Sequence, residues 1–326
     1  MDKRRLHFFW DYDLGEEDLR AILAGDDEER KVWVISRLLN AAPWDEIWSY
    51  LTVDDIRAHF PRLRFRSSHL RELWAHALEV WSREGDGEMV LKESRAPYEP
   101  NPPPRLRPGI LTPLQEVFLT RFFAYAVGKR FFLTGGTALT AFYLYHRLSE
   151  DLDLFTLEGG VLDAAQDVAL TVSNEMGWEA RVERLSPHLL RAVLMDREGG
   201  FLRVDFVRET APQFGEKRSC EGVVVDSLVD IATNKVTAIL GRSEAKDFVD
   251  LYVLLREIGY DFDSLLGKAE QKDRGLTPFF LAGAMRQVRR IRDLPVMLRP
   301  VDWEALVAFY EALADRLLAR HRPPSS

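Results

Sequence analysis

The chain has 326 residues, of which 46% are apolar and 29% are charged. This length allows two ordinary domains or one large one, and the apolar fraction allows a sizeable buried core. The formal net charge of −8 argues against a protein that coats DNA through many phosphate contacts, but it leaves room for a local basic patch.

Signals for membrane insertion and export are missing from the sequence. No run approaches the roughly twenty apolar residues of a membrane span, and the start lacks the apolar region and cleavage site of a signal peptide. The single cysteine, Cys220, cannot form an internal disulfide, as is usual in a reducing compartment. We therefore expect a cytoplasmic protein that makes no membrane contact.

Residues 1–92 are predicted to form a separate all-α domain, and they hold six of the eight tryptophans. The segments EEDLRAILAG, DEERKVWVISRLLN and SSHLRELWAHALEVW repeat apolar residues at helical spacing, which predicts four or five short helices. We expect Thr52 and Ser67 to be N-caps. Clustered aromatic residues at this spacing usually form a packed core.

A second interpretation concerns residues 52–81, in which two helices would flank a basic turn. This turn contains Arg62, Arg64 and Arg66. The outline loosely resembles a helix-turn-helix, and it favours contact with nucleic acid as an alternative to a purely structural role.

Densely spaced prolines between Pro97 and Pro113 keep the next stretch out of helices and central strands. Residues 93–112 are therefore predicted to be an extended linker, partly in the polyproline II conformation. At the other end of the chain, residues 321–326 are predicted to be a frayed tail.

Residues 113–320 show a mixed pattern that predicts one α+β domain. LTPLQEVFLTRFFAYAVG indicates a helix, RFFLTG a short strand, TALTAFYLYHRL a helix and DLDLFT a second strand. GVLDAAQDVALTVSNEMG is helical, and three β-rich runs follow, WEARVERL, LLRAVLMD and FLRVDFV. From about Ser227 onward helical periods dominate.

The junction between the first strand and the next helix carries Gly135, Gly136 and Thr137. Glycine tolerates a positive φ and lets backbone N–H groups approach a ligand, while a helix N-terminus attracts phosphate. We therefore predict that these three residues cradle the phosphates of a nucleotide. The alternative is an ordinary tight turn.

The second strand opens with Asp151 and Asp153, whose side chains alternate with leucines and so lie on one face. Two adjacent carboxylates repel each other unless a cation lies between them, and Mg²⁺ suits them because it also accepts phosphate oxygens. Asp205 lies within an apolar run, where an unpaired carboxylate is costly. We predict that the three aspartates bind Mg²⁺ or Mn²⁺ and that Asp205 acts as base on an incoming hydroxyl. The alternatives are a solvated strand end and an ion pair of Asp205 with Arg203 or Arg191.

The run GGTAL followed by HRLSEDLDLF resembles the AbiEii-type nucleotidyltransferases, which include the MenT toxins and belong to the DNA polymerase β-like superfamily. The resemblance covers about residues 113–270 and rests on several motifs in order. It implies a minimal nucleotidyltransferase fold, in which helices flank a mixed β-sheet and a helical C-terminal region forms the other wall of a cleft. It also implies transfer of a nucleotide from an NTP to an acceptor, which for some family members is the 3′ end of tRNA.

Further site residues follow from the same resemblance. Lys235 in DIATNKVTAIL matches the family's triphosphate-binding lysine, and Asp247 and Asp250 in AKDFVDLYVLL match an arginine–aspartate motif. Lys246 stands where that motif usually has arginine, and it lacks the planar fork of a guanidinium. Independently of the resemblance, Arg147 is a candidate to steady the carboxylates or a phosphate, and the alternative is that it only makes packing and solvent contacts.

These observations predict a Mg²⁺-dependent, toxin-like enzyme of a toxin–antitoxin or phage-defence system. Its substrate would be an NTP, its acceptor RNA such as tRNA, and its protein partner a cognate antitoxin. Nucleotidyl transfer to a small molecule or a protein, and a non-catalytic nucleotide-binding regulatory module, are the alternatives. The opening residues HFFWDYDL resemble small domains of unknown function often encoded beside such transferases, which implies that residues 1–92 form a fused regulator or antitoxin-like element.

Overall fold

The structure, a computed structural model, describes residue 9, residues 14–83 and residues 100–323. Most of the opening HFFWDYDL, the beginning of the predicted linker and the last three residues of the predicted tail lie outside these ranges.

The chain divides into two compact units, one of residues 1–91 and 312–326 and the other of residues 92–311. The end of the last helix thus groups with the first unit, whereas the sequence places it in the domain of residues 113–320. The described part of the predicted linker groups with the second unit.

The described part of the first unit is helical, as predicted. The hydroxyl groups of Thr52 and Ser67 cap their helices, since each accepts a hydrogen bond from a backbone N–H three residues later at 3.1 Å. Trp74 and Trp81 are fully buried, and the Trp81 indole donates a hydrogen bond to the Leu318 carbonyl at 2.8 Å. The helices are α1 (Glu16–Ala24), α2 (Glu28–Ala41), α3 (Trp44–Tyr50), α4 (Val53–His59) and α5 (Ser68–Ser82).

The described part of the predicted linker lacks helix and strand up to Arg107, as its prolines dictate, but it is not a free spacer. The backbone N–H groups of Arg105 and Arg107 donate to the carbonyls of Phe142 and Ala141 at 2.9 and 3.1 Å. The Tyr260 hydroxyl donates to the Pro100 carbonyl at 2.5 Å. These hydrogen bonds satisfy backbone groups that would otherwise lack a partner. They also hold residues 100–107 against the second unit.

The second unit is built on a mixed sheet whose described strands run in the order β3-β4-β5-β2-β1-β7-β6. Strands β2 and β5 pair in parallel, as do β1 and β7, and the remaining neighbours are antiparallel. Five strands match the predicted runs, whereas the short β6 and β7 were not predicted. The strands are β1 (Phe132–Thr134), β2 (Leu152–Thr156), β3 (Glu179–Leu185), β4 (Leu189–Met195), β5 (Phe201–Arg208), β6 (Arg218–Cys220) and β7 (Val223–Val225).

Helices flank this sheet and dominate the chain after it, so the predicted α+β architecture is confirmed. Among the helices that the structure describes, none combines the length and the apolar character that a membrane crossing requires. The helices are α6 (Pro113–Ala124), α7 (Gly135–Leu139), α8 (Leu162–Met176), α9 (Leu228–Gly241), α10 (Ala245–Val253), α11 (Phe262–Lys272), α12 (Pro278–Met285) and α13 (Trp303–Arg320).

One face of the central strands is the core and the other carries polar groups. Leu152 and Leu154 of β2 are fully buried, and Phe206 of β5 packs its ring against Phe122 of α6 with centroids 5.3 Å apart. Because side chains alternate along a strand, the residues between these apolar positions face the opposite side of the sheet. The alternation thus sets the aspartates of β2 and β5 on the face away from the aromatic core.

Candidate active site

Two carboxylates meet where β2 and β5 run side by side. Asp153 and Asp205 are paired positions in the parallel register, so their side chains lie next to each other on one face of the sheet. Asp151 precedes β2 by one residue, two positions before Asp153. We call Asp151, Asp153 and Asp205 the carboxylate face. All three are partly exposed.

Arginines from neighbouring strands already pair two of these carboxylates. Arg191 donates two hydrogen bonds to Asp205, at 2.7 and 2.6 Å, and Arg203 forms an ion pair with Asp151. Of the two partners that the sequence suggests for Asp205, Arg191 is therefore the one that binds it. Both arginine side chains are about one-third exposed, at 33% and 37%, so solvent can replace these contacts.

Asp153 stands apart from this pairing, since no ion pair or hydrogen bond engages its carboxylate within the described ranges. Although the residue is not fully buried, the packing around the Asp153 carboxyl removes water from it, and this desolvation raises its pKa. The negative charge of Asp205 raises this pKa further, while Lys235 opposes both effects. The described residues hold no ready-made group of three or more histidine, cysteine or acidic side chains spaced to bind a metal ion. The donor types on the carboxylate face nevertheless suit a hard cation, which would relieve the repulsion between Asp153 and Asp205.

The Gly-Gly turn lies directly against the carboxylate face. Gly135 has a φ of +67°, and a Cβ added there would lie 2.1 Å from Oδ2 of Asp153. A Cβ on Gly136 would lie 2.7 Å from the Ser149 hydroxyl and 2.9 Å from a guanidinium nitrogen of Arg147. Only glycine fits at either position without a shift of these groups, so the backbone of the turn packs closely against Asp153, Ser149 and Arg147.

The hydroxyl group of Thr137 makes its hydrogen bond within the protein. Its side chain is buried, and its hydroxyl donates to the backbone carbonyl of Asp151 at 2.5 Å. The hydroxyl thereby ties the first turn of α7 to the start of β2. Any contact of Thr137 with a phosphate would have to come from its backbone N–H.

A second group of charged side chains lies beneath the turn, and all of its members except Arg242 are buried. Lys235 of α9 reaches Asp247 at 2.8 Å and Asp250 at 2.7 Å, both on α10. Asp250 also accepts two hydrogen bonds from Arg147, at 2.6 and 2.7 Å, and its Oδ1 lies 2.7 Å from Nε2 of His146. We call this group the buried ionic cluster; its members are His146, Arg147, Lys235, Arg242, Asp247 and Asp250.

The electrostatics of this cluster follow from its pairing. Burial alone would raise the pKa of Asp250, but the charges of Lys235 and Arg147 hold that pKa well below its usual value. Burial alone would lower the pKa of Lys235, but Asp250 and Asp247 keep it raised, so the ammonium stays charged. Burial lowers the pKa of His146 and outweighs its hydrogen bond to Asp250. The histidine is therefore neutral at pH 7.

Arg242 is a residue that the sequence reasoning missed. Its guanidinium donates to both oxygens of Asp247, at 2.7 and 2.9 Å, and its side chain is 49% exposed. Lys246, the lysine at the motif's arginine position, instead pairs with Glu244 at 3.1 Å. The planar guanidinium that the motif usually supplies thus comes from Arg242, four residues before Lys246. The signal for it in the sequence is an arginine close to Asp247.

The cluster carries a net positive charge toward the carboxylate face. Three cations, Lys235, Arg147 and Arg242, oppose the two carboxylates of Asp247 and Asp250, which leaves a net charge of about +1 with a neutral histidine. Lys235 and Arg242 both lower the pKa of Asp153, so this charge is felt at the carboxylates. The structure therefore brings the predicted residues of the turn, the strands and α9–α10 together in one site.

A further ionic group lies beside the site and was not predicted. The Thr134 hydroxyl at the end of β1 donates to Asp226 at 2.6 Å, and Lys217 pairs with Asp226 at 3.0 Å and with Asp230 at 3.1 Å. Lys272 of α11 also reaches Asp230, at 3.2 Å. These contacts join the end of β1 to α9 and α11, and no local sequence pattern connects residues so far apart.

Comparison with known proteins identifies the family. Residues 117–320 match the family described as the AbiEii nucleotidyl transferase toxin of type IV toxin–antitoxin systems, which is more than half of the chain. An uncharacterized protein of Aquifex aeolicus (strain VF5) is 30% identical over 164 residues, 50% of this chain and 75% of its own length.

Two solved structures are similar to the chain. MenT4, a nucleotidyltransferase toxin from Mycobacterium tuberculosis, aligns with a TM-score of 0.44 and 19% identity over 64% of this chain and 88% of its own. The protein JHP933 from Helicobacter pylori aligns with a TM-score of 0.42 and 17% identity over 64% of this chain and 89% of its own. The family match runs from within α6 to the end of α13 and includes every described strand of the sheet. The chain is therefore a nucleotidyltransferase that belongs to the AbiEii toxin family of type IV toxin–antitoxin systems.

Proposed function

We propose that this enzyme moves a nucleoside monophosphate from an NTP to a hydroxyl of an RNA acceptor, such as the 3′ end of a tRNA, in a reaction that depends on Mg²⁺. The observation that carries the proposal is the parallel register of Asp153 with Asp205, directly beside the Gly135 turn. A nucleotide whose phosphates lie on the turn would place its α-phosphate at the carboxylate face.

The carboxylates and the turn would divide the work between them. Asp151 and Asp153 would hold the divalent ions, with Asp205 as a further ligand, and the ions would supply charge neutralisation for the triphosphate. The backbone N–H groups of Gly135 and Gly136 would bind the β- and γ-phosphates. The acceptor oxygen attacks the α-phosphorus, the bond from that phosphorus to the pyrophosphate oxygen breaks, and the hydroxyl proton leaves to a base.

Asp205 is our candidate for that base, and its contact with Arg191 sets a condition. Both carboxylate oxygens accept hydrogen bonds from Arg191, so proton uptake requires the arginine to release one of them. The partial exposure of Arg191 supports such a movement. Arg203 would have to release Asp151 in the same way before that carboxylate can bind a cation.

The buried ionic cluster would act mainly through position and charge. Lys235 is enclosed by Asp247 and Asp250, and we propose that it neutralises phosphate charge from beneath the turn. Arg147 touches the turn at Gly136 and would hold it in place through Asp250. The half-exposed Arg242 is the cation of this group that is most open to a triphosphate.

Family membership also supports a biological setting for this activity. We propose that the enzyme acts as a toxin in the cytoplasm, where NTPs and tRNA are available, and that a cognate antitoxin protein restrains it. Membership in a family of type IV toxin–antitoxin systems supports this setting.

A labelling assay tests the proposal. The protein would be incubated with Mg²⁺ and each α-³²P-labelled NTP, together with total RNA, with a small-molecule extract, or alone. We expect label in an RNA band, and we expect the Asp151→Ala/Asp153→Ala variant to lose it. The Asp163→Ala/Asp167→Ala variant, which removes two exposed carboxylates from α8, should keep it.

The other outcomes separate the alternatives. Label that appears only with the small-molecule extract, or on the protein itself, would contradict the RNA acceptor and point to a small-molecule or protein target. No label with any NTP, together with no NTP binding, would contradict catalysis and favour a regulatory module.

A further inference from the structure

A cleft on the first unit combines arginines with aromatic rings. Its volume is about 850 Å³. It lies between α2 and the turn that joins α4 to α5, which is the basic turn singled out in the sequence. It is lined by Glu29, Val32, Trp33, Ser36, Arg37, Asn40, Arg62, Arg64, Phe65 and Arg66.

The basic turn is held on α2 by hydrogen bonds to its backbone. The Ser36 hydroxyl accepts from the N–H of Arg64 at 2.9 Å. The Asn40 amide donates to the Arg64 carbonyl at 2.8 Å, and its oxygen accepts from the N–H of Arg66 at 2.7 Å. Two side chains of one helix thus fix three backbone groups of the turn. The side chains of Arg64 and Arg66 take no part in these hydrogen bonds, so their guanidinium groups can contact a ligand while the turn stays attached.

The charge of the cleft is strongly positive for a chain whose net charge is −8. Among the described residues that line it, four are arginines and one is a glutamate, Glu29. Arg64 and Arg66 are exposed, and within the described residues no carboxylate pairs with either guanidinium. Arg62 is 3.6 Å from Glu28, which it shares with Lys31 and His59. An anionic ligand would therefore meet the guanidinium groups of Arg64 and Arg66 without displacing a carboxylate of the described residues.

The aromatic residues decide which anion fits best. Trp33 and Phe65 line the same cleft and are only partly buried. Single-stranded nucleic acids are bound by cationic grooves that follow the backbone and by aromatic side chains on which bases stack. An acidic peptide would use the arginines but would gain nothing comparable from the rings. A cleft beside a turn also suits a flexible strand better than a rigid duplex.

We infer that this cleft binds a short single-stranded segment of nucleic acid. Its arginines contact the phosphates, and Trp33 and Phe65 take up one or two bases. This binding needs neither an NTP nor the carboxylate face of the second unit, so it stands or falls independently of the proposed transfer reaction.

Fluorescence anisotropy with a labelled ten-nucleotide RNA tests the inference. The full chain is used with Asp151→Ala/Asp153→Ala and without NTP, so that no transfer can occur. Arg64→Gln/Arg66→Gln is then added to remove two phosphate contacts while leaving the backbone hydrogen bonds. Each contact to a single strand contributes about 0.7 to the salt slope, so we expect the slope to fall by about 1.4 and affinity at 0.1 M salt to fall about 25-fold.

Arg20→Gln/Arg57→Gln is the matched control, because it removes the same charge from exposed arginines of the first unit that already pair with Glu16 and Asp54. We expect less than a two-fold change in affinity for this variant, and equal thermal unfolding midpoints for both variants. The same oligonucleotide as DNA shows which nucleic acid the cleft prefers, and binding of either strand supports the inference.

Three results would overturn it. One is an equal loss of binding, or no loss, in the cleft and control variants. Another is displacement of the RNA by a ten-residue glutamate peptide as readily as by unlabelled RNA. The third is tighter binding of a duplex of the same length, since that would assign the basic turn to duplex recognition.

Discussion

The second unit contains two groups of aspartates that lie close together but differ in their surroundings. Asp151, Asp153 and Asp205 on the carboxylate face are partly exposed, and two of them are held only by arginines that solvent also reaches. Asp247 and Asp250 in the buried ionic cluster are fully buried and accept several charged hydrogen bonds each. The first group is partly open to solvent, whereas the second is saturated by hydrogen bonds within the protein itself.

This difference separates activity from stability. A change on the carboxylate face should remove function and leave the fold intact, because its charges repel one another and contribute little to folding. A change in the buried ionic cluster should damage the fold first, because it leaves buried charges without partners.

Asp153→Asn should abolish transfer without weakening the fold. We expect the rate of nucleotide incorporation to fall on the order of 10³-fold, since a charge that stabilises the transition state is lost. The free energy of unfolding should stay the same or rise, because the repulsion between Asp153 and Asp205 disappears. Incorporation of labelled NTP and urea unfolding of the same preparation measure the two effects. If Asp153→Asn were inactive because it is unfolded, the claim that the carboxylate face serves activity and not stability would be contradicted.

Asp250→Ala, in contrast, should first of all destabilise the fold. Lys235, Arg147 and His146 all lose a partner in a buried place, and we expect unfolding to require about 3–5 kcal/mol less free energy. Urea unfolding measures this loss, with the exposed Asp163→Ala as the matched control. A loss below about 1 kcal/mol would show that the cluster is not the structural element described here.

Arg242→Lys should have smaller effects, on both stability and activity, than either of the two substitutions above. The lysine keeps the charge but loses the two-pronged contact with Asp247, and the half-exposed site limits the effect on stability to below about 1 kcal/mol. If the guanidinium also contacts the triphosphate, KM for the NTP should rise on the order of ten-fold. Steady-state kinetics measure this, and Lys246→Ala, at a lysine paired with Glu244, should leave KM unchanged. If both substitutions changed KM for the NTP equally, the proposal that Arg242 contacts the triphosphate would be contradicted.

His146 should make stability depend on pH in a mildly acidic range. Burial lowers its pKa, so the unfolded chain takes up the proton before the folded protein does. Stability is therefore fully present above about pH 6.5 and falls as the pH drops toward the lowered pKa, by at most about 1.4 kcal/mol per pH unit. In His146→Gln this slope should disappear while the other histidines contribute equally. Urea unfolding of the unsubstituted protein and of His146→Gln is measured between pH 5 and 7.5. If the free energy of unfolding depends on pH in the same way in both proteins, the neutral state of His146 is contradicted.

The parts of the fold that depend on local pattern could be predicted from the sequence. The alternation of Asp151 and Asp153 with leucines places the strand and its polar face, and the glycines at 135 and 136 mark the turn beside it. The prolines before Pro113 exclude regular structure up to Arg107. Each of these features is set by neighbouring residues, for which spacing along the chain is sufficient information.

The features that depend on distant partners could not be predicted in this way. The three-residue strands β6 and β7 are too short to show a period, and they form because β1 offers β7 a parallel edge. Lys235 was expected to meet phosphate, yet its nearest partners are Asp247 and Asp250, which only the packing of α9 on α10 brings within reach. Arg242 could not be predicted from the motif because it lies four residues before Lys246, and only the fold brings its guanidinium to Asp247. The metal and phosphate roles of the site residues stay predictions.

Binding of Mn²⁺, followed by the electron paramagnetic resonance signal of the free ion, tests the central claim most directly. The protein is titrated in the presence of a non-hydrolysable NTP analogue. We expect the unsubstituted protein to bind the ion and Asp151→Ala/Asp153→Ala to bind it at least ten-fold more weakly, while Asp163→Ala/Asp167→Ala behaves as the unsubstituted protein does. Equal binding by all three proteins would contradict the claim that the carboxylate face is the metal-binding part of the active site.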